Sequence, residues 1–227
     1  ALISAATALV SRTYFKVDTT GSGQTGGPNW TLVTKPSGSV AVLDSANGKF
    51  INSLTADLVG YYVVSATVGT QSANDTVYAS TYWGVSADPQ AGCFCHPNAA
   101  AIKTSWAASP HGTMFKRGIT GYLEVERGKG AYATSCIKCH TLAWQSAVNN
   151  GNFGYLTKQT GWDTTWYQGL EFLNGDYWIT TGDTSRYAML NAAQRATATI
   201  GCESCHGPAI DHKLTADVKM IEKSLSP

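Results

Sequence analysis

The chain has 227 residues, of which 43% are hydrophobic and 14% are charged, and its formal net charge is +1. This composition supports a buried core, and it argues against a disordered chain, a collagen-like chain and a nucleic-acid-binding surface. No apolar run approaches the roughly 18 residues that a membrane-spanning helix needs. The low content of charged side chains is common in exported proteins.

Up to residue 84 the chain contains no Cys and no His, and its pattern is typical of β-strands. We interpret the apolar first ten residues as a remnant of a signal sequence or, as we favour, as the opening or first strand of a mature chain. Short β-branched and aromatic runs then alternate with breaks that contain Gly, Pro or Asn, which predicts an antiparallel β-sandwich. The predicted strands cover residues 12–17, 30–35, 39–43, 49–54, 60–68 and 75–81.

Two features of this first part resemble immunoglobulin-like domains. The stretch DLVGYY, from Asp57 to Tyr62, is similar to the tyrosine corner of these domains, and Trp30 would be the buried core tryptophan. Residues 1–84 therefore resemble the immunoglobulin-like or PKD-like modules of bacterial and archaeal surface proteins. The resemblance implies an all-β immunoglobulin-like sandwich that serves as a spacer or docking domain or, alternatively, binds carbohydrate. Two Asn-x-Thr sequons, at Asn29 and Asn74, are candidate glycosylation sites.

Residues 85–227 contain all six Cys, all five His and five of the seven Trp. The alternating strand pattern fades here, and we expect a loop-rich domain with a few short helices. One helix is predicted over residues 184–200 and a second over residues 214–225, where apolar residues recur at i, i+4, i+7 and i+11. Residues 151–182 are rich in Gly and aromatic side chains. We expect them to form a long loop that wraps a core supplied by something other than protein.

The six Cys form three close pairs, and a His directly follows each pair. The motifs are Cys93-Phe-Cys95-His96, Cys136-Ile-Lys-Cys139-His140 and Cys202-Glu-Ser-Cys205-His206. Because only five of the 227 residues are His, three such coincidences have a chance probability on the order of one in 100,000. The pattern is that of haem c attachment, in which two thiols bond the haem vinyl groups and the adjacent His binds the iron.

Other uses of Cys pairs explain less of this pattern. A disulfide framework leaves the three His without a role, and a Cys-x-Cys bridge is strained. A zinc site could use two of the pairs but would leave the third over, and a thioredoxin-like pair needs a βαβ context that is absent. The first motif is one residue shorter than the usual spacing. Whether both Cys93 and Cys95 bond the haem therefore stays open.

With these motifs, residues 85–227 resemble the multihaem c-type cytochromes of extracellular electron transfer, a group that includes filament-forming cytochromes. Two further segments match that family. The first contains Trp106, Ser109 and His111 and resembles the W-x-x-S-x-H segment that supplies a distal His. The second is GCESCHGPAIDH, from Gly201 to His212, and resembles a CxxCHGP segment that ends in another axial His.

The resemblance implies three covalent haems c, each held by one Cys pair and its His. The implied proximal ligands are His96, His140 and His206, and the implied distal ligands are His111 and His212. Three haems with two axial His each need six His, whereas the chain has five. One iron therefore takes a Met, another group, a ligand from a different protein, or nothing. The three Met candidates are Met114, Met189 and Met220.

The resemblance also implies extracellular electron transfer and a location outside the cell or at its surface after export. The expected assembly is a homopolymeric filament with haem-to-haem contacts between subunits. Other redox proteins or extracellular electron acceptors are the expected partners, and neither nucleic acid nor a membrane span is expected. Two alternatives stay open, namely a multihaem reductase with an open or non-His axial position and a monomeric surface electron shuttle.

Overall fold

Contacts group the chain into two compact units. The computed structural model describes residues 6–45, 47–85, 99–119, 134–162 and 185–221, and the statements below refer to these residues. The first unit, here called the β-unit, contains the described residues up to Tyr82 and those from Cys205 onward. The second, here called the helical unit, runs from Trp83 to Ser204. The break after Tyr82 lies close to the predicted boundary at residue 84.

The C-terminal part of the chain differs from the predicted division, because it packs in the β-unit and not with the rest of residues 85–227. The Ser80 hydroxyl donates to the Asp211 carboxylate at 2.5 Å. The Ile210 N–H donates to the Thr81 carbonyl at 3.4 Å. Both contacts connect the last residues of the β-rich sequence to a segment that lies about 130 positions further along the chain.

Six strands form two sheets in the β-unit, which confirms that the first part of the chain is β-rich. The strands are β1 (Ala6–Ala8), β2 (Arg12–Lys16), β3 (Asn29–Thr34), β4 (Ile51–Thr55), β5 (Gly60–Val68) and β6 (Gln71–Ser80). One sheet has the order β1-β6-β5-β3, with β1 parallel to β6, and the other pairs β2 with β4 in antiparallel orientation. The run at 39–43 is not a strand, since only Leu43 forms a bridge, with Leu54.

The two sheets share one hydrophobic core. Tyr62, Val64 and Ala66 of β5 lie in it because alternate residues of a strand point to the same face. Phe15 of β2 and Leu54 of β4 pack in the same cluster and are fully buried. Burying one such side chain stabilises the fold by about 1.5–3 kcal/mol.

A hydroxyl closes the turn between β4 and β5. The Tyr62 hydroxyl accepts the Leu58 N–H at 3.0 Å and lies 2.9 Å from the Leu58 carbonyl and 3.0 Å from the Asp57 carboxylate. Asp57 also accepts the Ser39 hydroxyl at 2.5 Å and the Val40 N–H at 2.6 Å. Burial raises the pKa of Asp57, but these hydrogen bonds outweigh it and lower that pKa to about 2.

Both predicted sequons lie on the outward face of the larger sheet. Asn29 and Asn74 are exposed, and so is Thr31, the hydroxyl residue of the first sequon. The strand register places Thr31 and Asn74 on either side of Ser65 in β5. Paired residues of neighbouring strands point to the same face, so the two sequons share one polar surface.

Short helices form the described secondary structure of the helical unit and of the C-terminal segment. They are α1 (Ala99–Ala108), α2 (Pro110–Ile119), α3 (Thr134–Cys139), α4 (Phe153–Thr160), α5 (Ser185–Ala188), α6 (Ala192–Thr197), α7 (Glu203–His206), α8 (Ile210–Thr215) and a 3₁₀ helix (Val218–Met220). Within the part of the chain that the structure describes, no helix is both long and apolar enough to cross a membrane.

The helical unit has an apolar cluster centred on aromatic rings. Phe115 of α2 and Phe153 of α4 meet edge to face, with ring centroids 5.2 Å apart. Ile137 of α3 and Leu190 are buried in the same cluster, and Trp162 packs against it. Aromatic pairs in this geometry contribute about 0.5–1.5 kcal/mol beyond the area that they bury.

The first part of the predicted wrapping loop, 151–182, is a helix, whereas residues 163–182 lie outside the described residues. The Asn152 side chain caps α4 by accepting the Tyr155 N–H at 3.0 Å. Gly161 ends α4 with φ of 66°, a conformation that favours glycine. The Asn152 cap and the left-handed Gly161 therefore set the bounds of this helix.

The two predicted helices are also shorter than expected. The helix predicted over 184–200 divides into α5 and α6, because Asn191 and Gln194 form a capping box that starts α6. Of the helix predicted over 214–225, residues 214–215 end α8, Ala216 follows with φ of 56°, and Val218–Met220 form the 3₁₀ helix, while residues 222–225 lie outside the described residues. Leu214 and Val218, two members of its predicted apolar stripe, are 72% and 50% exposed.

Candidate functional site

The second Cys-x-x-Cys-His motif lies on α3. The His140 N–H donates to the Cys136 carbonyl at 2.9 Å, so the helical hydrogen-bond pattern continues through the motif. Residues three and four apart on a helix share a face, which brings Cys136, Cys139 and His140 to one side of α3. Ile137, next to Cys136 in sequence, is fully buried in the apolar cluster, against which Cys136 also packs, and it anchors α3 there.

The third motif consists of Cys202 and the short helix α7 that follows it. It contains a buried carboxylate that the sequence analysis did not identify. Glu203, between Cys202 and Cys205, is only 4% exposed. Its two carboxylate oxygens accept the Trp83 N–H at 2.9 Å and the Gly84 N–H at 2.5 Å. These bonds anchor the first turn of α7. The sequence gives no signal for these bonds, because their donors are backbone N–H groups about 120 positions away from Glu203.

The exposure of the thiols is similar in the two motifs. Cys139 and Cys205 take the same place in their motifs, and both are exposed free thiols, while Cys136 and Cys202 are half-buried. Free Cys is normally among the most buried side chains. A group attached through sulfur would cover these thiols. The donor set, two thiols and one imidazole on a single helical turn, therefore fits haem c.

The first motif cannot be compared in the same way, because Cys93, Cys95 and His96 lie outside the described residues. Among the residues that the structure does describe, no three His, Cys, Asp or Glu side chains converge closely enough to bind one metal ion, so the side chains of each described motif share a face without forming a metal site by themselves.

Two hydrogen bonds fix the segment that contains the candidate distal ligand His111. The Trp106 indole N–H donates to the Ile200 carbonyl at 2.9 Å, and the Thr199 hydroxyl donates to the His111 carbonyl at 2.9 Å. His111 is exposed at the start of α2. A side chain at Gly112 would approach the Trp106 carbonyl to 2.4 Å, so the tight connection between α1 and α2 requires glycine there. The structure thus brings the His111 segment next to the residues that lead into the third motif.

The other candidate distal ligand, His212, lies half-buried on α8. Its Nδ1 is 2.9 Å from the Asp217 carbonyl oxygen. A carbonyl only accepts, so Nδ1 carries the proton and the lone pair of the neutral ring is at Nε2. Metal-binding His residues usually donate their second N–H in this way.

The Asp217 side chain joins this arrangement to β5. Its carboxylate accepts the Lys219 N–H at 2.9 Å and the Tyr61 hydroxyl at 3.0 Å. The Lys219 N–H is the main cause that lowers the pKa of Asp217, and the Tyr61 bond adds to it against burial. Burial, followed by the bond to Asp217, raises the pKa of Tyr61.

The three Met candidates for the missing axial ligand differ in their surroundings. Met189 is 65% exposed. Met114 packs against the apolar cluster of the helical unit. The Met220 sulfur accepts the Thr215 hydroxyl at 3.4 Å. The cluster against which Met114 packs also contains Ile137 and touches Cys136, both of the second motif, and the identity of the axial ligand stays open.

Comparison with known proteins gives little more. No protein-family model matches the chain, and no curated protein matches it. A crystal structure of domains 4 and 5 of the S-layer protein SbsC is similar to 35% of this chain and 49% of that chain, with 17% identity and a TM-score of 0.27. A crystal structure of rSbsC(31-844) is similar over 38% of this chain and 13% of that chain, with 17% identity and a TM-score of 0.29. The chain thus matches less than half the length of each, and similarity at this level defines neither fold nor function.

Proposed function

We propose that the chain is a multihaem c-type cytochrome that transfers electrons outside the cell. The observation that carries the proposal is the helical arrangement of the second and third motifs, with Cys139 and Cys205 exposed at equivalent places. Covalent haem attachment needs two accessible thiols and an imidazole on one side of a short helix. When bound, the haems supply the redox chemistry, and the protein supplies ligands, spacing and a low dielectric.

The surrounding residues support this role by holding the motifs rigid. The buried Ile137 fixes α3, and the Glu203 carboxylate fixes the first turn of α7. The bonds that hold the His111 segment next to Thr199 and Ile200 support His111 as a distal ligand close to the third motif. Ligands on anchored backbone move little when the iron changes charge, which favours fast electron transfer.

An immunoglobulin-like fold for the β-unit is part of the proposal. The sheet order β1-β6-β5-β3, opposed by the β2-β4 pair, supports it. So do the buried Trp30 on β3 and the contacts of the Tyr62 hydroxyl with Leu58, which have the form of a tyrosine corner. Export fits covalent haem and the low charge content, while assembly into a homopolymeric filament that exchanges electrons with redox proteins or extracellular acceptors rests on family resemblance alone.

The test is the haem content of the protein purified from its natural host. Denatured protein is expected to carry three haems, which add roughly 1.8 kDa to the 24.1 kDa chain. Replacing both Cys136 and Cys139 by Ala should leave two haems. Ile102→Ala, at an exposed side chain of α1 outside the motifs, should leave three. Colourless protein, or pigment extracted by acidified organic solvent, would overturn the proposal.

The same preparation separates the alternatives. Fast binding of carbon monoxide at one reduced haem would favour an open axial position and hence the reductase. Negative-stain images that show discrete particles at every concentration would contradict the filament.

A further inference from the structure

Three contacts fix the C-terminal segment inside the β-unit. Two are the bonds from Ser80 to Asp211 and from Ile210 to Thr81 described above. The third is the bond from the Tyr61 hydroxyl to the Asp217 carboxylate. The segment between these contacts is α8, which carries His212.

Asp217 takes part in two of the relevant bonds through different groups. Its carboxylate accepts from Tyr61, on the outward face of β5, and its carbonyl accepts from the His212 ring. The Tyr61 ring is itself held by an edge-to-face contact with Tyr78, at 4.7 Å between centroids. The orientation of the His212 imidazole is therefore connected, bond by bond, to the sheet of the β-unit.

We propose that Tyr61 and Asp217 are positioning residues that orient His212 as an axial haem ligand. This inference rests on the proposed function. It gives the β-unit a role in the redox centre that a spacer would not have. An imidazole that is already oriented, with its proton fixed on Nδ1, loses less side-chain freedom on binding iron than a mobile surface His.

An alternative role for these contacts is purely structural. Asp217 follows Ala216, which ends α8 with a left-handed conformation, and it caps the 3₁₀ helix through Lys219. If Asp217 had only this structural role, its bond with His212 would stabilise the end of α8 and would not affect a haem. The two roles differ in what they predict for the iron, because only a positioning residue changes the coordination of a haem without changing the number of haems.

The experiment uses the full-length haem-loaded protein and compares His212→Ala, Tyr61→Phe and Tyr78→Phe. Each variant is measured for haem number by the pyridine haemochrome spectrum and for ferric spin state by electron paramagnetic resonance. We expect His212→Ala to keep all haems while one of them changes from low spin to high spin. Tyr61→Phe removes a single hydroxyl, and we expect it to raise the carbon monoxide-bound fraction at that haem about threefold at subsaturating gas, as loss of one hydrogen bond allows.

Tyr78→Phe is the matched control, since it lies on the same face of the sheet and leaves the bond between Tyr61 and Asp217 in place; it should behave like the native protein. Asp217→Ala removes the carboxylate that accepts from Tyr61, and it should raise the carbon monoxide-bound fraction as Tyr61→Phe does. Asp217→Asn keeps an acceptor oxygen for Tyr61 and should return that fraction most of the way to the native value. Unchanged spin states in His212→Ala would overturn the inference while the haem number upholds the proposed function. Equal behaviour of Tyr61→Phe and Tyr78→Phe would overturn the positioning role. Absence of haem from the native protein would instead overturn the proposed function itself.

Discussion

The β-unit and the helical unit are each stabilised internally by a different kind of interaction. In the β-unit, alternate apolar side chains such as Tyr62 and Val64 form one continuous core. The helical unit has buried amide side chains in addition to its aromatic cluster. Asn152 is fully buried, accepts the Gln145 N–H at 2.9 Å and donates to the Val148 carbonyl at 2.8 Å. Gln194 is also buried and donates to the Thr160 hydroxyl at 2.6 Å.

This difference matters for function. Side-chain amides that bond to backbone groups fix irregular segments that a regular hydrogen-bond ladder does not reach. Under the proposed function the haem motifs lie on short helices with exposed thiols, and such helices bury little apolar surface of their own. Glu203 anchors α7 through such bonds, whereas Asn152 caps α4, a helix outside the motifs.

The largest effect should come from the core of the β-unit. Leu54→Ala creates a cavity between the two sheets and is expected to lower the free energy of unfolding by about 2–5 kcal/mol. Leu58→Ala makes the same chemical change at a side chain that is 39% exposed, and it should cost much less. Urea unfolding followed by far-ultraviolet circular dichroism measures both. Equal losses would show that the core is not centred between the sheets.

How much of the fold the sequence predicts follows from the same contrast. In β5, period-2 alternation defines the strand, and its predicted bounds, 60–68, are those observed. In the helical unit, α4 and the break before α6 depend on caps from Asn152 and Asn191. A cap is a single residue, and the apolar periodicity that predicted one helix over 184–200 does not register it.

The candidate site shows a similar limit. The Cys-x-x-Cys-His spacing identifies Cys136, Cys139 and His140 as one motif, but the sequence pattern does not predict the helix that brings them to one face. Glu203 and Tyr61, in contrast, act on groups that are distant in sequence. Their partners are a backbone amide and a carboxylate in other elements, and only the folded chain reveals which ones they are.

A smaller effect, in the helical unit, tests the polar anchors. Glu203→Ala removes the acceptor of two backbone N–H groups, those of Trp83 and Gly84, and is expected to cost about 2–3 kcal/mol, since buried donors lose their partners. Glu203→Gln keeps one acceptor oxygen and should cost less. Ser204→Ala, at the exposed neighbouring residue, is the matched control. Hydrogen exchange at the Trp83 and Gly84 amides reports the loss directly, and unchanged protection in Glu203→Ala would contradict the anchoring role.

The smallest effect concerns the pH dependence of the β-unit. The pKa of Asp57 is lowered from 3.8 to about 2, so its carboxylate stabilises the folded state fully above about pH 4, and this stabilisation is lost as the pH falls toward 2. Because the group is partly exposed, we expect a loss of about 1–2 kcal/mol. Asp57→Asn should lower stability at neutral pH and flatten this part of the profile. Asp18 also has a lowered pKa, from bonds to Thr20 within its own turn, but only the shift of Asp57 is large, so Asp18→Asn should flatten the profile less than Asp57→Asn does. Urea unfolding between about pH 5 and pH 2 covers both pKa values of Asp57 and measures the difference. Parallel profiles for the native protein and Asp57→Asn would show that the Tyr62 corner does not depend on this charge.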